Sequence, residues 1–199
     1  MMLVEETTVP ESALPVASFK EHLRLGSGFA DADLQDGLLV SYLRAAVATI
    51  EARTGKILIV RNFSWRLNAW RDGQRQMLPI APVSEVTGIT LVDAAGVETA
   101  ADPTLWTLAQ DTHRPTLVAA KSCLPTIPTS GAALIAMQAG YAAVWAELPN
   151  DLAQAVILLA AHYYEVRHEH AGGAPALPAD VQALIAPHRA LRLFAGGRT

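Results

Sequence analysis

The sequence predicts an α+β fold in which two helical zones flank a strand-rich middle. Three observations predict it. Apolar residues recur at three- and four-residue steps in residues 16–55 and again in 148–186. Alternation with a period of two appears between those zones, and Gly and Pro punctuate it at short intervals. A chain of 199 residues favours one domain with an ample core. The expected layout is a flexible N-terminal arm over 1–15, a single domain over 16–186, and a C-terminal tail over 187–199. Within the domain, the helices run over 16–55 and 148–186, and the β-rich region over 56–146.

Each element has a local cause. After Pro15, Val16, Phe19, Leu23 and Leu25 fall at near-helical spacing until Gly26 stops them. Asp31 or Asp33 suits the cap of a second, longer helix. Its stripe runs through Leu34, Leu38, Leu39, Tyr42, Leu43, Ala46, Val47 and Ile50, and Gly55 provides the left-handed stop. Phe63, Trp65 and Leu67 then alternate with Ser64 and Arg66, which predicts a strand. Asp72-Gly73 reads as a hairpin turn leading to Met77, Leu78 and Ile80, and Pro79 and Pro82 make that second segment an edge or a short strand. Val86 to Val92 predicts another strand, returned by an Asp93-Ala94-Ala95-Gly96 loop into Val97 to Thr99. Trp106 to Leu108, Thr116 to Val118 and Ala133 to Gln138 are further short strands. Together they suggest a small antiparallel sheet or barrel. Pro149 and Asp151 suit the first turn of a helix that is apolar nearly all round, from Leu152 to Tyr164, and so belongs at the centre. Gly172-Gly173 breaks it. Pro178 opens a last helical segment, which Pro187 divides.

Composition removes several function classes. The chain is 51% hydrophobic and 17% charged, with a net charge of −4. It is too apolar for disorder and has no excess positive charge for general nucleic-acid binding. Its one cysteine, Cys123, excludes a disulfide scaffold. The N-terminal ten residues lack the basic start of a signal peptide, and the most apolar run, Ala153 to Ala161, is too short to span a bilayer. So low a charge implies surface buried against other subunits.

No constellation makes a convincing active site, and no catalytic residue, metal ligand or cofactor is assigned. Glu165 and His168 stand three apart on a helix, as in half of a di-iron site, with His162 and Glu169 nearby, but no second copy of the pair exists. The plainer reading is the solvated end of a helix, where His and Arg face the negative dipole. Cys123 has Lys121 close by but no histidine partner, and reads as a small filler. Asp72, Asp93 and Asp102 adjoin turn residues and read as turn formers. Charge is unevenly placed: residues 1–55 hold eight acids and four bases, whereas 187–199 hold Arg189, Arg192 and Arg198 and no acid. With Leu191 and Phe194, that basic tail has the make-up of a docking segment.

The order of these segments resembles the head–tail connector (adaptor) family of long-tailed phages and phage-like gene transfer agents. The resemblance rests on Phe19 to Leu25, Ile50 to Lys56, Leu78 to Val83, Val92 to Gly96, Gly140-Tyr141, Leu148 to Ala155 running on to Tyr163 to Arg167, and Leu184 to Arg189. It marks Glu51, Arg53, Gly55, Pro79, Pro149, Tyr164 and Arg167 as structural motif positions. His188 departs from it, standing where the family often has a tyrosine. The resemblance implies a mainly helical connector bundle, with the antiparallel β region as a small insertion. It implies a structural virion protein rather than an enzyme, assembled in the bacterial cytoplasm and placed at the head–tail junction. Its partners would be the portal protein, a stopper or tail proteins, and copies of itself in a ring of about twelve. That ring would extend the DNA channel without sequence-specific DNA binding, offer a tail-attachment platform and touch no membrane. The C-terminal segment would enter the portal, so Pro187, His188, Arg189, Leu191, Arg192, Leu193, Phe194 and Arg198 are the expected portal-binding residues. The alternatives are another virion ring, such as a tail-terminator or stopper, and a metal-dependent enzyme built on the Glu165/His168 helix.

Overall fold

Alternation in the middle of the chain builds two sheets, and they dominate the architecture. The structure, a computed structural model, describes residues 2–25, 32–166 and 177–189. Five strands form one antiparallel sheet: β1 (Met2–Glu5), β2 (Arg61–Leu67), β8 (Ala132–Ala139), β4 (Val83–Val92) and β5 (Glu98–Ala100), in that spatial order. Three more form a second: β3 (Arg75–Met77), β7 (Thr116–Ala119) and β6 (Trp106–Ala109). The helices are α1 (Val16–His22), α2 (Ala32–Thr54), α3 (Asn150–Val166) and α4 (Ala179–Ile185). The expectation of a mainly helical bundle with a small β insertion is therefore wrong. The described chain is a sheet-rich α+β fold, with eight strands against four α-helices. The first strand lies within the segment expected to be a flexible arm, where Leu3 pairs with Trp65 and Glu5 with Phe63.

Two hydrophobic cores follow from this division. Between the sheets, Phe63, Trp65 and Leu67 of β2 and Ile135 and Met137 of β8 meet Trp106 of β6 and Leu117 of β7. The inward residues of β2 alternate with exposed or half-buried ones, as period two requires. β4 breaks its alternation at two register shifts, so Val86 pairs with Met137 and packs on the same core as Ile89. The second core is helical. Phe19 of α1, Leu39, Leu43 and Ile50 of α2, Leu152 and Val156 of α3 and Val181 of α4 are buried together. As expected, α3 is central, with seven buried residues. Segment 57–59 joins the two cores: Ile57 belongs to the sheet core, Leu58 and Ile59 to the helical one.

Several turns formed as the residues dictate. Gly55 sits at φ 68° and donates its N–H to Glu51 O at 2.8 Å, closing α2. Gly96 sits at φ 83° in the β4–β5 hairpin, where Asp93 Oδ1 accepts from the N–H groups of Ala95 and Val97. Asp72-Gly73 behaves differently. Asp72 caps its own turn by accepting from Gln74 N–H, yet β3 beyond it pairs with β7 and not with β2. The turn redirects the chain from one sheet to the other. The Gly26–Gly28 loop, Asp31 and the Gly172-Gly173 break lie outside the described residues, as do the side chains of Asp33 and Leu34.

Candidate functional site: charged anchors and docking segments

Of the described motif residues, Glu51 joins the helical layer to the main sheet. Glu51, in the last turn of α2, accepts from Leu58 N–H with Oε1 at 2.8 Å and from the Arg61 guanidinium with Oε2 at 2.6 Å. Arg61 begins β2, is 6% exposed, and also reaches Glu5 of β1 at 3.2 Å. Its guanidinium carbon lies 5.5 Å from the Phe63 ring centroid. One cation thus ties the end of the long helix to β2 and to the edge strand β1 of the main sheet. Burial pushes the Glu51 carboxyl above its usual range, and the Arg61 charge opposes that rise. Lys56, 1% exposed, donates to Thr112 O, and burial lowers its pKa. Arg53 is exposed at the end of α2, and Pro79 is exposed beyond β3. Pro149 O accepts from Ala153 N–H at the start of α3, and Tyr164 meets Tyr42 edge-on at 6.1 Å between ring centroids. Arg167 lies outside the described residues.

Three of the expected portal-binding residues fall inside the described chain. Pro187 and His188 lie in a 3-10 turn over Ala186–His188, directly after α4; Pro187 is exposed, and so is Arg189 just beyond the turn. His188 is not free. Its Nε2 lies 2.5 Å from Asp151 Oδ2 and its Nδ1 lies 3.4 Å from the Tyr141 hydroxyl. A protonated Nε2 donates to the carboxylate, while Nδ1 faces the phenol oxygen. This chain fastens the root of the C-terminal segment to the start of α3. Leu191, Arg192, Leu193, Phe194 and Arg198 lie outside the described residues.

Asp151 supplies a pH test of that fastening. Its partial burial raises the carboxyl pKa, but the bond from His188, the Leu152 N–H and the His188 charge together bring it below the usual range. A depressed carboxyl stabilises the fold above its unfolded pKa and loses that contribution as pH falls through the folded value. Asp151→Asn should therefore lower stability near neutral pH by at most about 1 kcal/mol, since the pair is partly exposed. The gap between variant and wild type in thermal melts should close as the pH is taken from 7 into the acid range. A gap that stays constant would show that Asp151 contributes no charge-dependent stability.

Among the described residues the groups with catalytic potential do not converge. Among the described residues no three His, Cys, Asp or Glu side chains sit close enough to hold a metal. His162 has a buried Nε2 without a partner and Glu165 is exposed, while His168 and Glu169 lie outside the described residues. Cys123 is exposed, and the Ser122 hydroxyl lies 3.9 Å from its sulfur. Asp102 and Asp111 cap turns: Thr104 donates to the first, and the N–H groups of His113 and Arg114 to the second. Those bonds hold both carboxyls below their usual pKa range. A cleft of about 350 Å³ between Ser84, Gln110, Asp111 and Tyr141 offers one capped carboxylate and no partner base. No helix among the described residues is long and apolar enough to cross a membrane.

Neither a protein-family model nor a curated protein matches the chain. Solved structures do. A chain in the neck of an empty gene transfer agent (GTA) particle, computed with C6 symmetry, is 55% identical, with a TM-score of 0.89 and all of both chains covered. This chain belongs to the family of gene transfer agent neck proteins. A chain in the neck of a native GTA particle, computed with C12 symmetry, is 52% identical over the full length of both, with a TM-score of 0.85. A third, from the virion of a native GTA particle, is 55% identical over the full length of both, with a TM-score of 0.86. For this neck protein the similarity covers both sheets and all four helices, so the sheet-rich architecture belongs to the neck family too.

Proposed function

We propose that this neck protein is the head–tail connector (adaptor) subunit of a phage-like particle. Copies of it form a ring, about twelve in number, beneath the portal. The ring extends the DNA channel and gives the tail or a stopper its platform. The observation that carries this reading is full-length similarity to chains in necks computed with C12 and C6 symmetry. The chemistry agrees. A ring of this kind closes by rotation, each subunit presenting one face and receiving the neighbour on another. Two buried faces suit a chain with 17% charged residues. A net charge of −4 suits a wall past which DNA must slide, because each Lys or Arg set against a phosphate adds grip.

The portal would be engaged by the C-terminal segment. Pro187, His188 and Arg189 form its root, and the arginines and apolar residues of 191–198 its tip. The His188–Asp151 bond gives the root a fixed point of departure, so that less ordering is needed when the tip docks. The reading is tested by mixing full-length protein with purified portal and weighing the products by mass photometry.

A further inference from the structure

The sequence placed Leu38 in the buried stripe of α2, but the structure leaves it 45% exposed. It is not alone. Gly37, Leu38, Ser41, Ala45, Ala48 and Ala52 are all exposed on one side of α2. From Leu38 onward they follow the alternating three- and four-residue spacing of a helix-packing seam. The seam runs about 22 Å, at 1.5 Å of rise per residue. A solvated helix face normally carries charge, and this one has none between Gly37 and Ala52.

The charges that flank it are used inside the subunit. Asp36 pairs with Lys20, Arg44 donates to Val9 O at 2.9 Å, and Glu51 holds Arg61. Among the described charged side chains of α2, Arg53, in the last turn, is the one classed as exposed. The opposite face of α2 is already spent on α3 and α1, with Leu39, Leu43, Val47 and Ile50 in the helical core. The helix is thus prepared for contact on both sides and has a partner on one.

The chains that share 52–55% identity with this one over their full lengths come from necks computed with sixfold and twelvefold symmetry. That is independent of the seam, and it points to a second copy as the occupant. We propose that the outer face of α2, from Gly37 to Ala52, is one side of the contact between neighbouring copies in the ring. This rests on the ring reading above. Cyclic symmetry of this kind carries no two-fold axis across the contact, so this face of α2 cannot meet its own equivalent. It packs instead against a different surface of the neighbour. Small side chains let that surface come close to the helix backbone, and Leu38 supplies the larger apolar contact at the N-terminal end.

The test uses Ala45→Glu and Ala48→Glu, alone and together, in the full-length protein assembled with portal. Both sites are exposed helix positions where Glu is a good helix former, so the melting curve of the free protein should stay close to wild type. The yield of complete rings should fall at least about tenfold, because a carboxylate would be desolvated without a partner. As a measurement that does not depend on how the Glu variants fold, Ala45→Cys on a Cys123→Ser background should react with a maleimide in the free protein and be protected in the assembly. Wild-type rings together with unimpaired Glu-variant rings would overturn this proposal and leave the ring reading intact. Variants that form normal rings but no longer take on a tail component would also overturn it, by assigning the seam to that component. Failure of the wild-type chain to form any ring would overturn the ring reading itself.

Discussion

Replacing Arg61 by alanine is expected to destabilise the protein by about 3–5 kcal/mol, the usual cost of removing one partner from a buried ion pair. A domain of this kind has about 5–15 kcal/mol in total, so much of its stability is at stake. The Arg61 side chain is 6% exposed and that of Glu51 12%. Without Arg61, Glu51 keeps the bond from Leu58 N–H but loses the charge that compensates its burial. Its pKa, already raised, would rise further. A carboxyl with a raised folded-state pKa destabilises the fold when ionised and recovers as pH falls through that value. The deficit of Arg61→Ala should accordingly shrink on mild acidification. Adding Glu51→Gln should restore part of the loss, since no buried charge is then left alone. Urea unfolding of wild type, Arg61→Ala and the double variant at two pH values checks both statements. A single variant within about 0.5 kcal/mol of wild type, as at an ordinary surface site, would contradict them.

Removing residues 190–199 should abolish portal binding and leave the fold in place. A cut after Arg189 keeps His188 on Asp151 and Tyr141 and keeps α4 on α3. It removes Leu191, Arg192, Leu193, Phe194 and Arg198, the side chains proposed to enter the portal. Unfolding should change by no more than about 0.5 kcal/mol. In a pull-down on immobilised portal the truncated protein should be lost from the bound fraction. Undiminished binding would place the portal contact elsewhere on the subunit. A cut that also takes His188 is a poorer experiment, because it unfastens the segment's root from α3 and mixes two effects.

Much of the order of elements was legible because period and punctuation are local. The alternation of Phe63, Trp65 and Leu67 gave β2, and Asp93 to Gly96 gave the β4–β5 hairpin. Pro149 and Pro178 marked the starts of α3 and α4. Pairing was not legible, because it is set at long range. Asp72-Gly73 carries the residues of a hairpin turn, but the partner of β3 is β7, some 40 residues on. The strand at Met2–Glu5 was missed because four residues at a sheet edge, mostly exposed, give no alternation against a buried face. The weight of the fold was misjudged for a related reason. Short strands read one at a time look like an insertion, whereas β2, β8 and β4 pair along nearly their whole lengths into the main sheet.

The anchors were half legible. Glu51 and Gly55 stood out as motif positions, and Gly55 could be assigned its role from its place after a helical stripe. Glu51 could not, because its partner is ten residues away in another element. Arg61 gave no signal at all, although its phase in β2 was available: it alternates with Phe63, Trp65 and Leu67 on the inward side. A cation at an inward strand position implies a buried acid nearby, and that inference would have found the pair. His188 was read as part of a free tail because nothing near it in sequence binds it. Asp151 and Tyr141 reach it only through the packing of α4 on α3.

This neck protein is proposed to close into a ring on a portal. Mass photometry of the full-length chain, alone and with portal, tests it most directly. With portal, a new species is expected whose added mass corresponds to about twelve copies of the 21.2 kDa chain. A portal peak unchanged in mass at saturating neck protein would contradict it.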